Sequence, residues 1–140
     1  MGIALKHRKR GEIYKLNSAE ISTDYGVQND FRGKPGDRQV TLLSSASWQS
    51  ACMEVGQSLD WTARRANLLI EGLDLQNTTG CKVRIGSAEL VITGETDPCT
   101  RMDETYSGLR KALTPEWRGG VTCKVIKSGV VKIGDQAEFL

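Results

Sequence analysis

The spacing of apolar residues limits the fold more than any other property of the chain. Short apolar or alternating segments follow one another, and glycine-containing turns separate them. The clearest unit is a hairpin in which residues 81–85 and 88–93 flank the two-residue turn Gly86-Ser87. With 15 Gly against 3 Pro, the composition suits many tight turns. Further strands are predicted at residues 12–16, 39–43, 121–126, 130–133 and 137–140 and in the apolar run after Asn67.

Two stretches have the periodicity of an amphipathic helix instead. The first has apolar residues at i, i+3, i+4 and i+7, namely Trp48, Ala51, Cys52 and Val55. Residues 44–47 offer hydroxyls that suit its N-cap, and Gly56 suits its end. The second is residues 104–113, which Thr114-Pro115 should terminate. With about eight short strands, this inventory predicts a mainly β barrel or sandwich with a few short helices.

The four cysteines differ in the pattern around them. Cys52 lies on the apolar stripe of the first helix, while Cys81 and Cys123 alternate with polar residues in predicted strands. These three are therefore predicted to be core residues that behave as small hydrophobes. Only Cys99 lacks such a pattern, because it follows Pro98 in a predicted loop after a strand.

Cys99 is accordingly the candidate reactive residue. Arg101 lies two positions after it, and a cation near a thiol favours the thiolate, which is the form that attacks sulfur or binds a soft metal. A single loop cysteine is also frequently incidental. Both interpretations of Cys99 remain open from spacing alone.

Two further segments carry donors suited to an anion. Residues 18–38 are polar and too long for an ordinary connection, so we expect a loop that is functional or disordered, with Arg32 and Arg38 as candidate donors. Arg64, Arg65 and Asn67 directly precede an apolar run, and strand ends frequently hold ligands in barrel folds. The alternative for each segment is an ordinary solvated surface.

Composition excludes several classes of function. At 140 residues the chain is expected to be one domain, residues 1–140, that buries roughly 70% of its unfolded surface. The balance of 19 Lys+Arg against 17 Asp+Glu is too even to indicate nucleic-acid binding, and the basic residues 6–10 are interpreted as solvated. We expect no signal peptide, no membrane span and no zinc site, and a location in the reducing cytoplasm.

Six segments, in order and spacing, make the chain similar to the MOSC domain, named after the C-terminal domain of molybdenum cofactor sulfurases. The similarity extends over residues 13–139 and is to the short stand-alone bacterial members. The segments are Gly26-Val27-Gln28-Asn29-Asp30, Arg38-Gln39-Val40-Thr41-Leu42-Leu43-Ser44, Asn67-Leu68-Leu69-Ile70-Glu71-Gly72-Leu73-Asp74-Leu75, Gly80-Cys81-Lys82-Val83-Arg84-Ile85-Gly86, Thr93-Gly94-Glu95-Thr96-Asp97-Pro98-Cys99 and Arg118-Gly119-Gly120-Val121.

The resemblance implies a mixed-topology β-barrel with Cys99 at the rim of a cleft. It implies molybdenum cofactor (molybdopterin) binding, with Cys99 as the metal ligand. The phosphate and pterin of that cofactor would need fixed donors, for which the candidates are Arg32, Arg38, Arg64, Arg65, Asn67 and Arg101.

Three functions are compatible with this resemblance. The first is reduction of N-hydroxylated compounds with electrons from a separate donor protein, since the sequence contains no flavin or iron–sulfur motif. The second is a sulfur carrier in which Cys99 holds a persulfide received from a cysteine desulfurase type of donor. The third is a pterin-binding scaffold without chemistry. The sequence given contains no pyridoxal phosphate domain of the kind that precedes MOSC in sulfurases.

Overall fold

The computed structural model describes residues 1–9 and 11–140 and is mainly β, with few helices. Its strands in the described residues are β1 (Gly2–Leu5), β2 (Tyr14–Leu16), β3 (Ser18–Ser22), β4 (Gly26–Val27), β5 (Val40–Ser44), β6 (Leu68–Ile70), β7 (Lys82–Ile85), β8 (Ala88–Glu95), β9 (Val121–Lys127), β10 (Gly129–Lys132) and β11 (Ala137–Phe139). Its α-helices are α1 (Ser45–Val55), α2 (Arg101–Thr105) and α3 (Leu109–Leu113), and short 3-10 helices cover Trp61–Arg64 and Pro115–Trp117. None of these helices has the length and apolar composition needed to cross a membrane.

The strands form two sheets. The larger has the order β11-β7-β8-β9-β5-β6-β1-β2, and the smaller has the order β10-β3-β4. Strands β5 and β6 are parallel whereas the other recorded pairs are antiparallel, so the larger sheet is mixed, as predicted. Within residues 1–9 and 11–140, the edge strands β11 and β2 are not hydrogen-bonded to each other. The closed barrel implied by the resemblance is therefore not confirmed.

Strand β5 is the centre of the molecule because it is buried on both faces. Leu42 belongs to an apolar cluster that contains residues of both sheets, whereas the next residue, Leu43, belongs to a second cluster formed with the helices. A strand covered on both sides is expected to be continuously apolar rather than alternating. The predicted buried strand at residues 39–43 is confirmed on this account.

Local signals predicted most of the elements correctly. Ser44 is the N-cap of helix α1, where its Oγ accepts a hydrogen bond from Ser47 N (3.4 Å), and Gly56 is the C-cap, with a left-handed φ of 72°. The hairpin formed by β7 and β8 and the three strands at the end of the chain are also confirmed. The single helix predicted at residues 104–113 is wrong, because Gly108 adopts a φ of 90° and separates α2 from α3.

The first forty residues differ most from the prediction. Strand β1 was not predicted, and residues 18–38 contain β3 and β4 rather than one long loop. In β3 only Ala19, Ile21 and Ser22 are buried, so the alternation is too short and too rich in small and polar residues to stand out. The basic residues 6–10 are not uniformly solvated, because Lys6 is buried; Arg10 lies outside the described residues.

Asn67 joins three strands at the centre of the large sheet. Its Oδ1 accepts hydrogen bonds from Thr41 N (3.0 Å) and Thr41 Oγ1 (3.2 Å), and its Nδ2 donates to Ala4 O (3.3 Å). Its backbone is equally engaged, because Ala4 N donates to Asn67 O (2.7 Å). The side chain is buried, so it ties β1 and β5 together just before β6 begins.

Asn67→Ala should lower the free energy of unfolding by roughly 2–4 kcal/mol, because it leaves buried backbone groups of Ala4 and Thr41 with fewer partners. Urea unfolding measures the change. The exposed Asn17 is the matched control, and Asn17→Ala should stay within about 0.5 kcal/mol of wild type. Equal stability of the two variants would show that the Asn67 amide does not join the strands.

Candidate functional site

The loop that carries Cys99 connects the end of β8 to the start of α2. Pro98 is buried whereas Cys99 is exposed, so the loop is anchored immediately before the thiol. The carbonyl oxygen of Cys99 accepts a hydrogen bond from Met102 N (3.0 Å), and Thr96 N donates to Gly120 O (2.9 Å). The loop is therefore fixed at both sides of the cysteine while the side chain stays accessible, as the sequence predicted.

Gly119 lets the loop approach the turn that precedes β9. A Cβ atom at this position would lie 2.5 Å from Thr96 O, 3.1 Å from Arg64 Nη2 and 3.4 Å from Pro98 Cδ. The first distance is much shorter than any ordinary contact, so only glycine fits. Gly119 thus contributes to the site through its lack of a side chain.

Arg64 braces this arrangement from inside the protein. It is 7% exposed, and its guanidinium donates through Nε to Gly119 O (2.9 Å) and through Nη2 to Thr96 O (2.9 Å). Burial lowers the pKa of Arg64 to about 10, while the nearby Cys99 side chain opposes that shift. The guanidinium therefore remains charged at neutral pH and adds positive charge beneath the Cys99 loop.

The other predicted arginines lie around the same region. Arg32 and Arg38 are exposed, and their positive charges lower the pKa of Arg64, whereas Cys99 raises it. Arg32 also lies over the Phe31 ring, at 5.2 Å from the ring centroid. Arg65 and Arg101 likewise lower the pKa of Lys6, as does Arg32. These electrostatic effects link the predicted cations of three separate segments, namely residues 18–38, Arg64-Arg65 and Arg101.

Two small adjacent clefts are lined by these residues. The first has an empty volume of about 250 Å³ and is lined by Ala4, Leu5, Lys6, Ile13, Asp30, Arg32, Arg65, Ala66 and Asn67. The second has an empty volume of about 220 Å³ and is lined by Arg32, Thr41, Arg64, Arg65, Ala66, Thr96 and Gly119. They share Arg32, Arg65 and Ala66, so they form one continuous cationic depression. Asn67 lines it, although its amide atoms are hydrogen-bonded within the protein.

Lys6 is the site residue that sequence reasoning missed. It is 4% exposed, its Nζ lies 5.1 Å from the Phe31 ring centroid, and that atom has no hydrogen-bond partner among the residues that the structure describes. Burial, with a contribution from Arg32, lowers the pKa of Lys6 to about 8. No pattern in the sequence around Lys6 indicated its burial, because the segment that covers it lies more than twenty residues away.

The unsatisfied polar atoms suggest which kind of ligand fits. Besides Lys6 Nζ, the hydroxyl Oγ1 of Thr96 is buried without a hydrogen-bond partner in the described part of the chain. Buried polar atoms normally have partners, and exceptions often mark a ligand site. Donors surrounded by guanidinium groups fit an anion, and the neighbouring thiol fits a soft metal. This donor set is compatible with a phosphate-bearing molybdenum cofactor.

The remaining cysteines are only partly where the sequence placed them. Cys123 is fully buried, and burial raises the pKa of its thiol, which keeps it protonated. Cys52 is partly buried, with Sγ 3.9 Å from Leu59 O. Cys81 is exposed, so its predicted place in the core is wrong. Cys81 lies one residue before β7 begins. The alternation with Val83 and Ile85 correctly predicts which way its side chain would point within a strand, but the core does not extend far enough to cover this position.

Comparison with known proteins identifies related folds. The family model for the MOSC domain matches residues 22–138. The crystal structure of the YuaD protein from Bacillus subtilis is similar with a TM-score of 0.80 at 20% identity, covering 99% of this chain and 92% of that one. YiiM from Escherichia coli has a TM-score of 0.74 at 16% identity, covering 99% and 68%. YiiM from Geobacillus stearothermophilus has 0.75 at 14%, covering 99% and 73%. A comparison with curated proteins finds no match.

Brief alkylation at neutral pH should modify Cys99 and Cys81 first, Cys52 more slowly and Cys123 only when the fold opens, because thiol exposure decreases in that order. Mass mapping of the alkylated peptides measures this order. Cys81→Ser serves as the control that leaves Cys99 as the fast thiol. Labelling of Cys123 as fast as Cys99 would contradict the burial described here.

Lys6→Met should raise the melting temperature at pH 7, since it removes a buried ammonium group while keeping a side chain of similar length. In the folded protein, burial and the charges of Arg32, Arg65 and Arg101 lower the pKa of Lys6 from 10.5 to about 8. Asp30 opposes this shift. Between these pH values the unfolded chain binds more protons, so wild-type stability rises with pH and the advantage of the variant shrinks.

Thermal unfolding of wild type, Lys6→Met and Lys15→Met from pH 7 to pH 11 tests this expectation. Lys15 is the matched control because its amine is exposed and pairs with Asp60 (2.9 Å), so Lys15→Met should give no gain. A Lys6→Met variant that melts below wild type at every pH would show that the amine is not buried at a cost.

Proposed function

This chain belongs to the MOSC domain family, which is associated with molybdenum cofactor binding, and we propose on that basis that it binds this cofactor through Cys99. We propose further that the protein reduces N-hydroxylated compounds. The observation that carries the proposal is that the loop with the exposed Cys99 thiol is hydrogen-bonded to the buried Arg64, which also lines the cationic depression.

Cys99 would be the protein ligand of the metal. A thiolate is the soft ligand that such a centre favours, and the anchored Pro98 and Thr96 hold the sulfur at one place on the surface. Among the described residues, no group of three or more His, Cys, Asp or Glu side chains is arranged to hold a metal. The thiol of Cys99 is therefore the ligand on which the proposal rests.

The arginines would hold the anionic part of the cofactor. Arg64 is fixed by two carbonyl groups and contributes charge, whereas Arg32 and Arg38 are exposed and have guanidinium groups that can pair with phosphate oxygens. When bound, the cofactor supplies the two-electron redox chemistry that reduction of an N–OH group requires. Conversion of N–OH to N–H consumes two electrons and two protons and releases water, so a separate electron-donor protein is part of the proposal.

A sulfur carrier is the second candidate, and the exposure of Cys99 favours it. A persulfide on this thiol could be received from a cysteine desulfurase type of donor and passed on to a cofactor or a metal–sulfur assembly. This function needs access to the sulfur rather than a pocket for the pterin. A scaffold that binds pterin without chemistry would share the cationic depression but not the dependence on Cys99.

Cys99→Ser should abolish molybdenum-dependent reduction of an N-hydroxylated substrate, because the hydroxyl is a much poorer ligand for the metal. Arg38→Ala should mainly lower the amount of cofactor retained, since it removes only an anion contact. Both proteins are made in a host that synthesises the cofactor. Molybdenum content, native mass and turnover with a chemical electron donor are then measured.

Cys81→Ser is the matched control, because Cys81 is also an exposed thiol but does not belong to the Cys99 loop, so its loss should leave metal content unchanged. Retained turnover in Cys99→Ser with the cofactor bound would refute the reductase mechanism. A native mass that corresponds to a persulfide on Cys99, without molybdenum, would favour the sulfur carrier. Bound pterin with no turnover in wild type would favour the scaffold.

A further inference from the structure

We propose that Arg118 is a positioning residue for Cys99, which acts by holding residues 116–120 in the conformation that anchors the Cys99 loop. This turn lies directly before β9, and the Arg118 guanidinium is hydrogen-bonded to the helices. The inference concerns the site of the proposed function. It rests on that proposal only for one readout, the amount of bound molybdenum.

The turn before β9 contains two residues in an unfavourable backbone conformation. Glu116 and Trp117 have φ values of 55° and 56°, which lie in the left-handed region, and neither is a glycine. Gly120 follows with a φ of 95°. Residues with a Cβ atom rarely adopt positive φ, so two of them in succession persist only where surrounding contacts impose that shape.

Arg118 supplies contacts that can impose this shape. Its Nη1 donates to Ala112 O of α3 (3.0 Å) and to Glu54 Oε1 of α1 (3.3 Å), and its backbone N donates to Pro115 O (3.0 Å). Its side chain is only 17% exposed, so these hydrogen bonds are partly shielded from water. The neighbouring Trp117 packs against the apolar cluster that contains residues of both sheets. The turn is therefore attached to the helices and to the sheets.

The same turn supplies two of the acceptors that fix the loop carrying the thiol. Gly119 O accepts a hydrogen bond from Arg64 Nε (2.9 Å), and Gly120 O accepts one from Thr96 N (2.9 Å). Arg64 Nη2 also donates to Thr96 O (2.9 Å), so both connections lead to the same residue of the loop. The position of Thr96 therefore depends on where the turn places its two carbonyl groups.

Loss of the Arg118 guanidinium would let the turn relax toward ordinary backbone angles. Because Arg118 immediately precedes the two glycines, their carbonyl groups would move with it. The thiol of Cys99 would stay exposed but would no longer be held at one place. A metal ligand whose supporting contacts are loosened binds the metal less well.

Backbone hydrogen exchange of the cofactor-free full chain, followed by NMR, tests this role. In Arg118→Met, which keeps a long side chain but removes its donors, the Thr96 amide should exchange roughly tenfold to a hundredfold faster than in wild type. The Ile92 amide of β8, which donates to Cys81 O (2.8 Å), should change much less. Arg110→Met is the matched control, because Arg110 is an exposed arginine of α3, and it should leave Thr96 exchange unchanged.

Glu116→Gly tests whether Arg118 acts through the strained turn. Added to Arg118→Met, it should restore much of the protection of Thr96, because glycine adopts the left-handed region without a steric penalty. Arg118→Lys keeps a cation that can pair with Glu54, so it should lie between wild type and Arg118→Met. It also serves as the second variant if Arg118→Met folds poorly.

Three outcomes of the exchange measurement would overturn the proposal. Equal acceleration of the Thr96 and Ile92 amides would mean a general loss of stability rather than release of the loop. Unchanged exchange of Thr96 in both Arg118 variants would mean that the guanidinium does not hold the turn. Failure of Glu116→Gly to restore any protection would exclude backbone strain as the mechanism.

A second arm connects the turn to metal binding. In protein from a host that makes the cofactor, Arg118→Met should hold less molybdenum than wild type, whereas Arg110→Met should hold as much. Full molybdenum content in Arg118→Met, despite faster exchange at Thr96, would show that Arg118 does not position the ligand. Wild type without any molybdenum would refute the proposed function, whereas the exchange rates would still decide whether Arg118 holds the loop.

Discussion

Burial of the Arg64 guanidinium is the contact on which the arrangement around Cys99 depends. A buried cation is costly unless hydrogen bonds satisfy it, and here Thr96 O and Gly119 O do so. These two carbonyl groups belong to the cysteine loop and to the turn before β9, which are far from Arg64 in the sequence. One side chain therefore sets the position of both segments, and Gly119 is required because any Cβ would collide with Thr96 O.

The concentration of cations at this end of the molecule works against folding. The whole chain has a net charge of only +2, yet the fold brings six basic side chains to one region, namely Lys6, Arg32, Arg38, Arg64, Arg65 and Arg101. Burial of Lys6, with repulsion from Arg32, Arg65 and Arg101, lowers its pKa. A bound anion would relieve both effects and stabilise the folded state by mass action. Unfavourable arrangements such as clustered like charges and an unpaired buried amine are common at functional sites, where ligand binding rather than stability determines the side chains.

The sequence was sufficient wherever a local pattern determines the outcome. Helix α1 follows from its apolar stripe and its two caps, and the hairpin of β7 and β8 follows from alternation around Gly86-Ser87. Alternation gives the face of a strand but not its depth, which is why Cys123 was predicted correctly and Cys81 was not. Likewise, the periodicity of residues 104–113 did not reveal that Gly108 would interrupt the helix.

The sequence indicated which residues to consider for the site, but it did not indicate what each side chain does in the fold. Of the predicted cations, Arg64 acts electrostatically together with Cys99, Arg32 and Arg38, while Arg32, Arg65 and Arg101 act on Lys6. Asn67 looked like a ligand donor since it precedes an apolar run, yet its amide joins Ala4 to Thr41. Lys6 looked solvated because basic residues follow it. Its burial depends on residues 28–33, which no local pattern in β1 could indicate.

The segment that covers Lys6 is itself held rigidly, which determines how the site would bind. Gly33 packs against the backbone of Tyr25 so closely that a Cβ would lie 1.6 Å from Tyr25 O, and Gln39 Nε2 donates to Gly33 O (3.1 Å). Phe31 and Asp30 are fixed to the backbone of Lys6. The backbone that carries Arg32 is therefore ordered before any ligand arrives. Because its ordering entropy is lost on folding rather than on binding, a compact anion can be held by few contacts.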